Sequence, residues 1–227
     1  ETPDCETNHD VSYARSRDLQ HWENSSGKIY TLPITLGTAG IVDPVPVGGG
    51  VINGNVRVGF DDEKRVVISY HKYNGRGNSQ LYNARLEDGA WRIYQSSQWN
   101  FRWDFHGPGA IPFDVHLSPI QVHDDGSITQ EWSTRETGRE QWQLEPQTLS
   151  AVSRLGRPAK TNADEGVHSG FPGMQVRTEK DSGDYAVDGQ RFVLRWETLG
   201  PNRDRERGKP WPEASILEVC LIPPNGG

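Results

Sequence analysis

The sequence predicts an all-β fold of the β-propeller type, and three observations lead to this prediction. Short segments with alternating apolar and polar residues recur along the 227-residue chain, each bounded by turn residues. The 25 glycines and 15 prolines suit a chain with many turns, and the 8 tryptophans suit packing between sheets. No segment combines a 3.6-residue apolar period with helix caps, so we expect less than about 10% helix.

One internal repeat and seven alternating segments place the strands. The stretch Asn8–Arg15 parallels Asn78–Arg85 at an offset of 70 residues, and in both copies a turn and a tryptophan follow. Self-similarity of this kind is typical of propellers, whose blades are sheets of about four strands. The predicted strands are Val11–Arg15, Val66–Tyr70, Gln80–Leu86, Trp91–Gln95, Ile128–Trp132, Arg191–Trp196 and Ile216–Ile222.

The repeat predicts a single propeller segment over residues 1–227 with about four blades, at residues 1–50, 51–105, 106–160 and 161–227. In each blade, strands A to D run outward from the central channel, so the B–C and D–A loops emerge together on one face. Four blades are fewer than the six or seven of many closed rings. We therefore expect an incomplete ring with an unsealed edge.

Charge and composition exclude two classes of partner. The net charge of −7 and the pI of about 5.5 argue against nonspecific binding to nucleic acid. No apolar run of about 18 residues is available to cross a membrane. The chain begins with Glu1 and shows no signal peptide, so we expect a processed or excised piece of a secreted or periplasmic protein. Cys5 and Cys220 leave both a disulfide and two separate thiols open.

Several segments carry a resemblance to one enzyme family. They are Ser69–Tyr73, Gly77–Arg85, Arg102–Phe105, Leu194–Leu199 and Pro201–Arg205, together with the N-terminal Glu1–Asp4 and Asn8–Asp10. The chain resembles the C-terminal portion of BNR-repeat polysaccharide lyases, the seven-bladed propellers that act on ulvan and on rhamnose–glucuronate linkages. The resemblance implies β-elimination on an acidic, uronate-containing polysaccharide or oligosaccharide, and missing N-terminal blades as a partner.

β-Elimination sets the demands on the site. A proton leaves C5 of the uronate while the glycosidic oxygen leaves C4, so the site needs a proton carrier and a cation or strong donors on the carboxylate. We expect no cofactor, and the scattered histidines predict no catalytic metal, although a structural metal ion stays open. The expected catalytic residues are His9, His71, Tyr73 and Arg102, and the expected substrate-binding residues are Tyr70, Trp103, Arg135, Arg139 and Arg203.

Two alternative functions stay open. The first is a glycoside hydrolase of the rhamnosidase or arabinan/xylan type, since Ser16–Trp22 is similar to a turn of five-bladed glycosidases. Hydrolases usually need two facing carboxyl groups, and Glu197 is the nearest carboxyl candidate on the predicted face. The second alternative is a non-catalytic, carbohydrate-binding propeller fragment, which the short chain favours.

Overall fold

The computed structural model describes residues 4–156, 166–180 and 191–222, and its regular structure there is almost entirely β. Fifteen strands and two short 3₁₀ turns, Cys5–Thr7 and Asn53–Asn55, occur in these ranges without any α-helix. The predicted all-β class is therefore confirmed. None of the described residues forms a helix able to cross a membrane.

The chain divides into two compact units. The N-terminal unit comprises residues 1–108 and 113–157, and the C-terminal unit comprises residues 109–112 and 158–227. The described strands form five small antiparallel sheets. The division of a propeller into four blades at the boundaries given above stays a prediction.

Twelve strands belong to the N-terminal unit. They build two two-stranded sheets, β1–β4 and β2–β3, and two four-stranded sheets, β5–β6–β7–β8 and β9–β10–β11–β12, in which the strand order follows the chain. Their bounds are β1 Val11–Tyr13, β2 Arg15–Ser16, β3 Trp22–Glu23, β4 Gly40–Asp43, β5 Arg57–Phe60, β6 Val66–Tyr73, β7 Ser79–Glu87, β8 Ala90–Gln95, β9 Val115–Val122, β10 Ile128–Thr134, β11 Gly138–Leu144 and β12 Ala151–Gly156.

The C-terminal unit contains one three-stranded sheet. It is formed by β13 (Met174–Lys180), β14 (Arg191–Leu199) and β15 (Glu218–Ile222), with β14 in the middle. The predicted strand at Ile216–Ile222 thus begins later, at Glu218. Val193 and Arg195 of β14 are buried, whereas Leu194 between them is exposed, as the two-residue period of a strand requires.

The β5–β6 hairpin turns around one buried carboxylate. Asp61 accepts hydrogen bonds from the backbone N–H groups of Glu63 (3.1 Å) and Arg65 (2.9 Å), and Lys64 takes a positive φ of 62° between them. An aspartate that satisfies the orphan donors of its own turn fixes the turn geometry. The hairpin therefore sets the register in which β6 begins.

The central strands β6 and β7 of the sheet β5–β8 are buried on both faces. Ile68, Tyr70 and Ala84 on one face pack with Val11 and Val42 of the β1–β4 sheet. On the other face, Val67 and Leu81 pack with residues of the β9–β12 sheet, including Leu117, Ile120, Ile128, Trp132 and Leu144. Each fully buried side chain of this size contributes about 1.5–3 kcal/mol through the hydrophobic effect. The two cores fix the position of β6, the strand that leads to the candidate site.

Candidate functional site

Strand β6 ends in a group of polar and aromatic side chains. Successive side chains of a strand point to opposite faces, so Tyr70 and Lys72 lie on one face while His71 and Tyr73 lie on the other. The backbone N–H of Tyr73 donates to the carbonyl of Gly49 at 2.8 Å, which brings the loop after β4 against the end of β6. The loop after β4 and the end of β6 are therefore side by side in the N-terminal unit.

Asp43, the last residue of β4, is the centre of a buried polar cluster. The Tyr70 hydroxyl donates to Oδ2 of Asp43, and Nζ of Lys72 lies 2.6 Å from the same oxygen. Burial and the bond to Asp43 raise the pKa of Tyr70, so its phenol stays protonated. The Lys72 ammonium also lies 4.8 Å from the centroid of the Tyr82 ring. The Asp43 side chain is only 7% exposed, so this ion pair is largely enclosed.

Asp43 is not among the site residues expected from the sequence. The signal for it was a short apolar segment, Gly40–Val42, that ends in Asp43 and then Pro44. A carboxylate that directly follows buried strand residues must find partners, because an isolated buried charge is costly. That rule could have identified Asp43, although not the identity of its partners.

Tyr73 and Arg102 lie together, as the loop topology predicts. The guanidinium of Arg102 lies 3.7 Å from the centroid of the Tyr73 ring. Its Nε is 3.3 Å from Oδ1 of Asp104, and its Nη1 donates to the carbonyl of Gly77 at 3.2 Å. The Tyr73 hydroxyl donates to the carbonyl of Trp103 at 2.7 Å. Burial raises the pKa of Tyr73, which Arg102 offsets only in part.

Three of the predicted site residues lie below the surface. His71 is 1% exposed, and its ring centroid lies 5.0 Å from that of Trp103 and 6.3 Å from that of Phe105. Burial lowers the pKa of His71 to about 3, so the imidazole is neutral at pH 7. Trp103 (4%) and Tyr70 (0%) are also enclosed. In this conformation their side chains support neighbouring groups, and their predicted roles in substrate contact or proton transfer stay predictions.

His9 lies in a cleft. The cleft has a volume of about 210 Å³ and is lined by Asn8, His9, Asp10, Val11, Ser12, Val51, Asn53 and Val56. Nδ1 of His9 lies 2.9 Å from Oδ2 of Asp10, and the His9 side chain is 32% exposed. Asp10 is itself held by a hydrogen bond from its backbone N–H to the carbonyl of Val45 at 2.8 Å. A carboxylate at Nδ1 favours the tautomer with hydrogen on that nitrogen and leaves Nε2 as an acceptor.

Of the three arginines predicted to bind substrate, two belong to one hairpin of the N-terminal unit and one belongs to the C-terminal unit. Arg139 pairs with Glu131 at 2.7 Å on the β10–β11 hairpin, and Arg135 is exposed in the turn of that hairpin. Arg203 belongs to the C-terminal unit, where it takes a φ of 62° and its N–H donates to the carbonyl of Ala110 at 3.1 Å. Their predicted roles in substrate binding stay predictions.

Glu197, the carboxyl candidate for a hydrolase, has a local structural role in the C-terminal unit. It accepts hydrogen bonds from the backbone N–H groups of His168 (2.6 Å) and Ser169 (2.9 Å), and Arg195 lies 3.2 Å away. These bonds hold a loop against β14. Among the described residues, no group of three or more His, Cys, Asp and Glu side chains is arranged to hold a metal ion.

Comparisons with known proteins give a family match for the N-terminal part of the chain. Residues 1–99, less than half of the chain, match a family described as "BNR repeat-containing family member". No curated protein matches the chain. Among solved structures, the chain is similar to an alpha-L-arabinofuranosidase from Clostridium thermocellum, with a TM-score of 0.36 and 11% identity, over 93% of this chain and 61% of that one. A likeness at that level supports no argument about activity. The match over residues 1–99, which contain His9, Asp43 and β1–β8, supports the BNR-repeat resemblance of this stretch and leaves the lyase family itself a prediction.

Proposed function

We propose that the N-terminal unit is part of a BNR-type β-propeller that cleaves carbohydrate, with the sugar bound in the cleft beside His9. The BNR-repeat match over residues 1–99 supports this proposal. Sheets β5–β8 and β9–β12 support it too, because four antiparallel strands in chain order are the typical form of a propeller blade. An acidic polysaccharide as partner and a secreted or periplasmic location belong to the same proposal.

The observation that carries this proposal is the His9–Asp10 pair in a cleft lined by both polar side chains and valines. Glycosidic bond cleavage needs a group that moves a proton at a defined position. Histidine titrates closer to neutral pH than any other side chain, and Asp10 orients its ring at 2.9 Å. Asn8, Ser12 and Asn53 supply amide and hydroxyl groups that suit sugar hydroxyls. The cleft therefore combines a proton carrier with polar binding groups.

Of the four residues predicted as catalytic, His9 is the best suited to transfer a proton. His71 is enclosed and its lowered pKa makes it a weak base. The Tyr73 hydroxyl is engaged with the carbonyl of Trp103, and its pKa is raised. In a β-elimination, His9 would take the C5 proton, the C4–O bond would break, and the departing oxygen would take up a proton from protonated His9 or from solvent. Arg102, whose side chain is 45% exposed, would neutralise the carboxylate.

Hydrolysis is the second candidate because of two carboxyl groups near the cleft. Val11 pairs with Asp43 in the β1–β4 sheet, so Asp10, its chain neighbour, stands close to the end of β4. Hydrolases use two carboxyl groups about 5–9.5 Å apart, one as acid and the other as base or nucleophile. Asp10, which lines the cleft, and Asp43 are the candidate pair for that chemistry.

The test is cleavage of ulvan and gum arabic by the whole chain. A lyase produces an unsaturated uronate that absorbs in the ultraviolet, whereas a hydrolase produces reducing ends without that absorbance. We expect His9→Gln to lower the rate about 10²-fold or more, because general acid–base catalysis contributes at least that much. His21→Gln is the matched control: His21 also pairs with an aspartate, Asp18 at 2.7 Å, but does not line the cleft.

Equal rates in the His9 and His21 variants would overturn the assignment of His9. Absence of both products, together with measurable polysaccharide binding, would overturn cleavage and identify the chain as a carbohydrate-binding fragment.

A further inference from the structure

We propose that Asp43 and Lys72 form a subsite for an uncharged sugar residue, in which they bind two neighbouring hydroxyl groups. This inference rests on the proposed function and names one part of its substrate. It is supported by the unequal use of the two Asp43 oxygens, the position of the Lys72 ammonium, the charge of the cluster and its place beside the cleft.

The two oxygens of Asp43 have different surroundings. Oδ2 has both partners, the Tyr70 hydroxyl and the Lys72 ammonium. Oδ1 accepts no hydrogen bond from the described residues, and it is not among the buried polar atoms that are sealed without a partner. Since the Asp43 side chain is 7% exposed, Oδ1 is the oxygen that reaches solvent. It is a fixed acceptor on a carboxylate whose orientation is set by two other side chains.

Lys72 supplies the matching donor. Its ammonium carries three N–H groups, one of which the ion pair with Asp43 occupies. The side chain is 21% exposed, and the ring of Tyr82 holds the ammonium in place at 4.8 Å. An acceptor and a donor that are already paired at 2.6 Å present the two complementary functions that adjacent hydroxyls of a sugar ring require.

The charge of the cluster selects the ligand. Asp43 is negative and Lys72 positive, and Tyr70 stays neutral because its pKa is raised. The sum is zero. A uronate carboxylate that bound to the Lys72 ammonium would also lie close to the Asp43 carboxylate, which is 2.6 Å from that ammonium, and like charges at short distance disfavour binding. Hydroxyl groups bind to both members of the pair without that cost.

The position of the cluster links it to the proposed cleft. Val11 lines the cleft, and the same residue pairs with Asp43 across the β1–β4 sheet. A sugar held by Asp43 and Lys72 would therefore be a neighbour of the residue that His9 acts on. The substrate that follows is a chain in which an uncharged sugar stands next to the sugar that reacts.

The test is NMR titration of the whole chain with three methyl glycosides. They are methyl α-D-mannopyranoside, which is uncharged and has neighbouring hydroxyls, its 2,3-di-O-methyl ether, and methyl β-D-glucopyranosiduronate. We expect the mannoside to shift the backbone amide signals of Asp43 and Lys72, and the ether and the glucuronide to bind about tenfold more weakly or not at all, because a hydrogen bond to a charged group contributes about 1.5–3 kcal/mol.

Two variants and one control test whether Asp43 and Lys72 themselves bind the mannoside. Asp43→Asn removes the charge that orients the pair, and Lys72→Met removes the donor while keeping the length of the side chain. We expect each to weaken mannoside binding about tenfold or more. Lys64→Met is the matched control, since Lys64 lies just before the other end of β6 in the Asp61 turn.

Three results would overturn the subsite. They are unmoved Asp43 and Lys72 amide signals in the unaltered protein, larger shifts of those two signals with the glucuronide than with the mannoside, or wild-type affinity in both variants. The first two need no variant to fold. Because binding is measured apart from cleavage, a chain that binds the mannoside and cleaves nothing would overturn the proposed reaction and leave the subsite supported.

Discussion

Two buried aspartates lie near opposite ends of β6, and they differ in how many of their carboxylate oxygens have partners. Asp61, in the turn before β6, uses both oxygens: Oδ1 accepts from two backbone N–H groups, and Oδ2 from Nε of Arg65 at 2.8 Å, with Arg85 at 3.6 Å. Asp43, at the other end, uses only Oδ2 among the described residues. A fully satisfied buried carboxylate stabilises its surroundings, whereas a nearly buried one whose second oxygen accepts no hydrogen bond keeps an acceptor for a ligand.

The same comparison explains why the larger cavity is the weaker candidate. The cleft near Asp61 measures about 330 Å³, against about 210 Å³ beside His9. In that cleft, Arg85 donates hydrogen bonds to the carbonyls of Pro146 and Gln147, both at 2.6 Å, and to Glu87 at 2.7 Å. The charges of that cleft are therefore engaged in holding two sheets together. The smaller cleft has fewer such bonds and an oriented histidine.

The largest expected effect concerns Arg85. Replacing Arg85 with methionine removes the donors of two backbone carbonyls and leaves Asp61 and Glu87 with less positive charge, so we expect the free energy of unfolding to fall by about 3–5 kcal/mol. Denaturant unfolding measures this loss. Arg92→Met, at the position that pairs with Arg85 on β8, changes an exposed arginine and should cost less than about 0.5 kcal/mol. Equal losses would contradict a structural role for the Asp61 end.

The second effect comes from His71 and depends on pH. The pKa of His71 in the folded protein, about 3, lies below its ordinary value of 6.5, because burial disfavours the charged imidazole. Below pH 6.5 the unfolded chain binds a proton that the folded protein does not. The contribution of neutral His71 to the free energy of unfolding is thus complete above that pH and is lost as the pH falls towards 3. Between about pH 6.5 and pH 5 we expect a loss of about 2 kcal/mol.

Unfolding of two variants at both pH values checks this origin. His71→Gln should remove most of the loss, whatever its absolute stability, and His21→Gln, which alters an exposed histidine, should keep it. An unchanged pH dependence in His71→Gln would show that another group causes it.

The smallest expected effect is a difference in stability between two variants, each of which lacks one hydrogen bond from a tyrosine hydroxyl to a carboxylate. Tyr70→Phe removes a buried donor to Asp43 and should cost about 1 kcal/mol, since Lys72 still neutralises the carboxylate. Tyr94→Phe removes the bond to Glu87 near the other end, where Arg85 remains, and is expected to cost about half as much or less. Thermal unfolding of both variants measures the difference. The reverse order would mean that the Asp43 cluster is less constrained than its contacts indicate.

The strands of the two four-stranded sheets were largely predictable, whereas some of their edges were not. Alternation and turn chemistry located β6, β7, β8 and β10, because each is bounded by Gly, Asp or Asn and buries regular positions. The edge strand β12 was not predicted, because it exposes Val152 and Leu155 and its alternation of apolar and polar residues is weak. β5 begins only at Arg57, because the 3₁₀ turn at Asn53–Asn55 precedes it.

The candidate site was predictable only where it depended on loop topology. Tyr73 and Arg102 meet because the β6–β7 loop and the loop after β8 emerge at the same end of an antiparallel sheet. The burial of His71 depends on Trp103 and Phe105, which come from a distant loop and leave no trace in the pattern of β6. Asp43 contacts Tyr70 across 27 residues, and no local pattern specifies a contact between strands of different sheets.

Gly50 constrains how this site can change in evolution. Its φ is 82°, and a Cβ at this position would lie 2.6 Å from ring atoms of Tyr73. A homologue that keeps an aromatic residue at position 73 must therefore keep glycine at position 50, and one that gains a side chain at position 50 must lose ring volume at position 73. The two positions should covary, and that linked variation would distinguish lineages that retain the stacked arginine at position 102 from those that have replaced it.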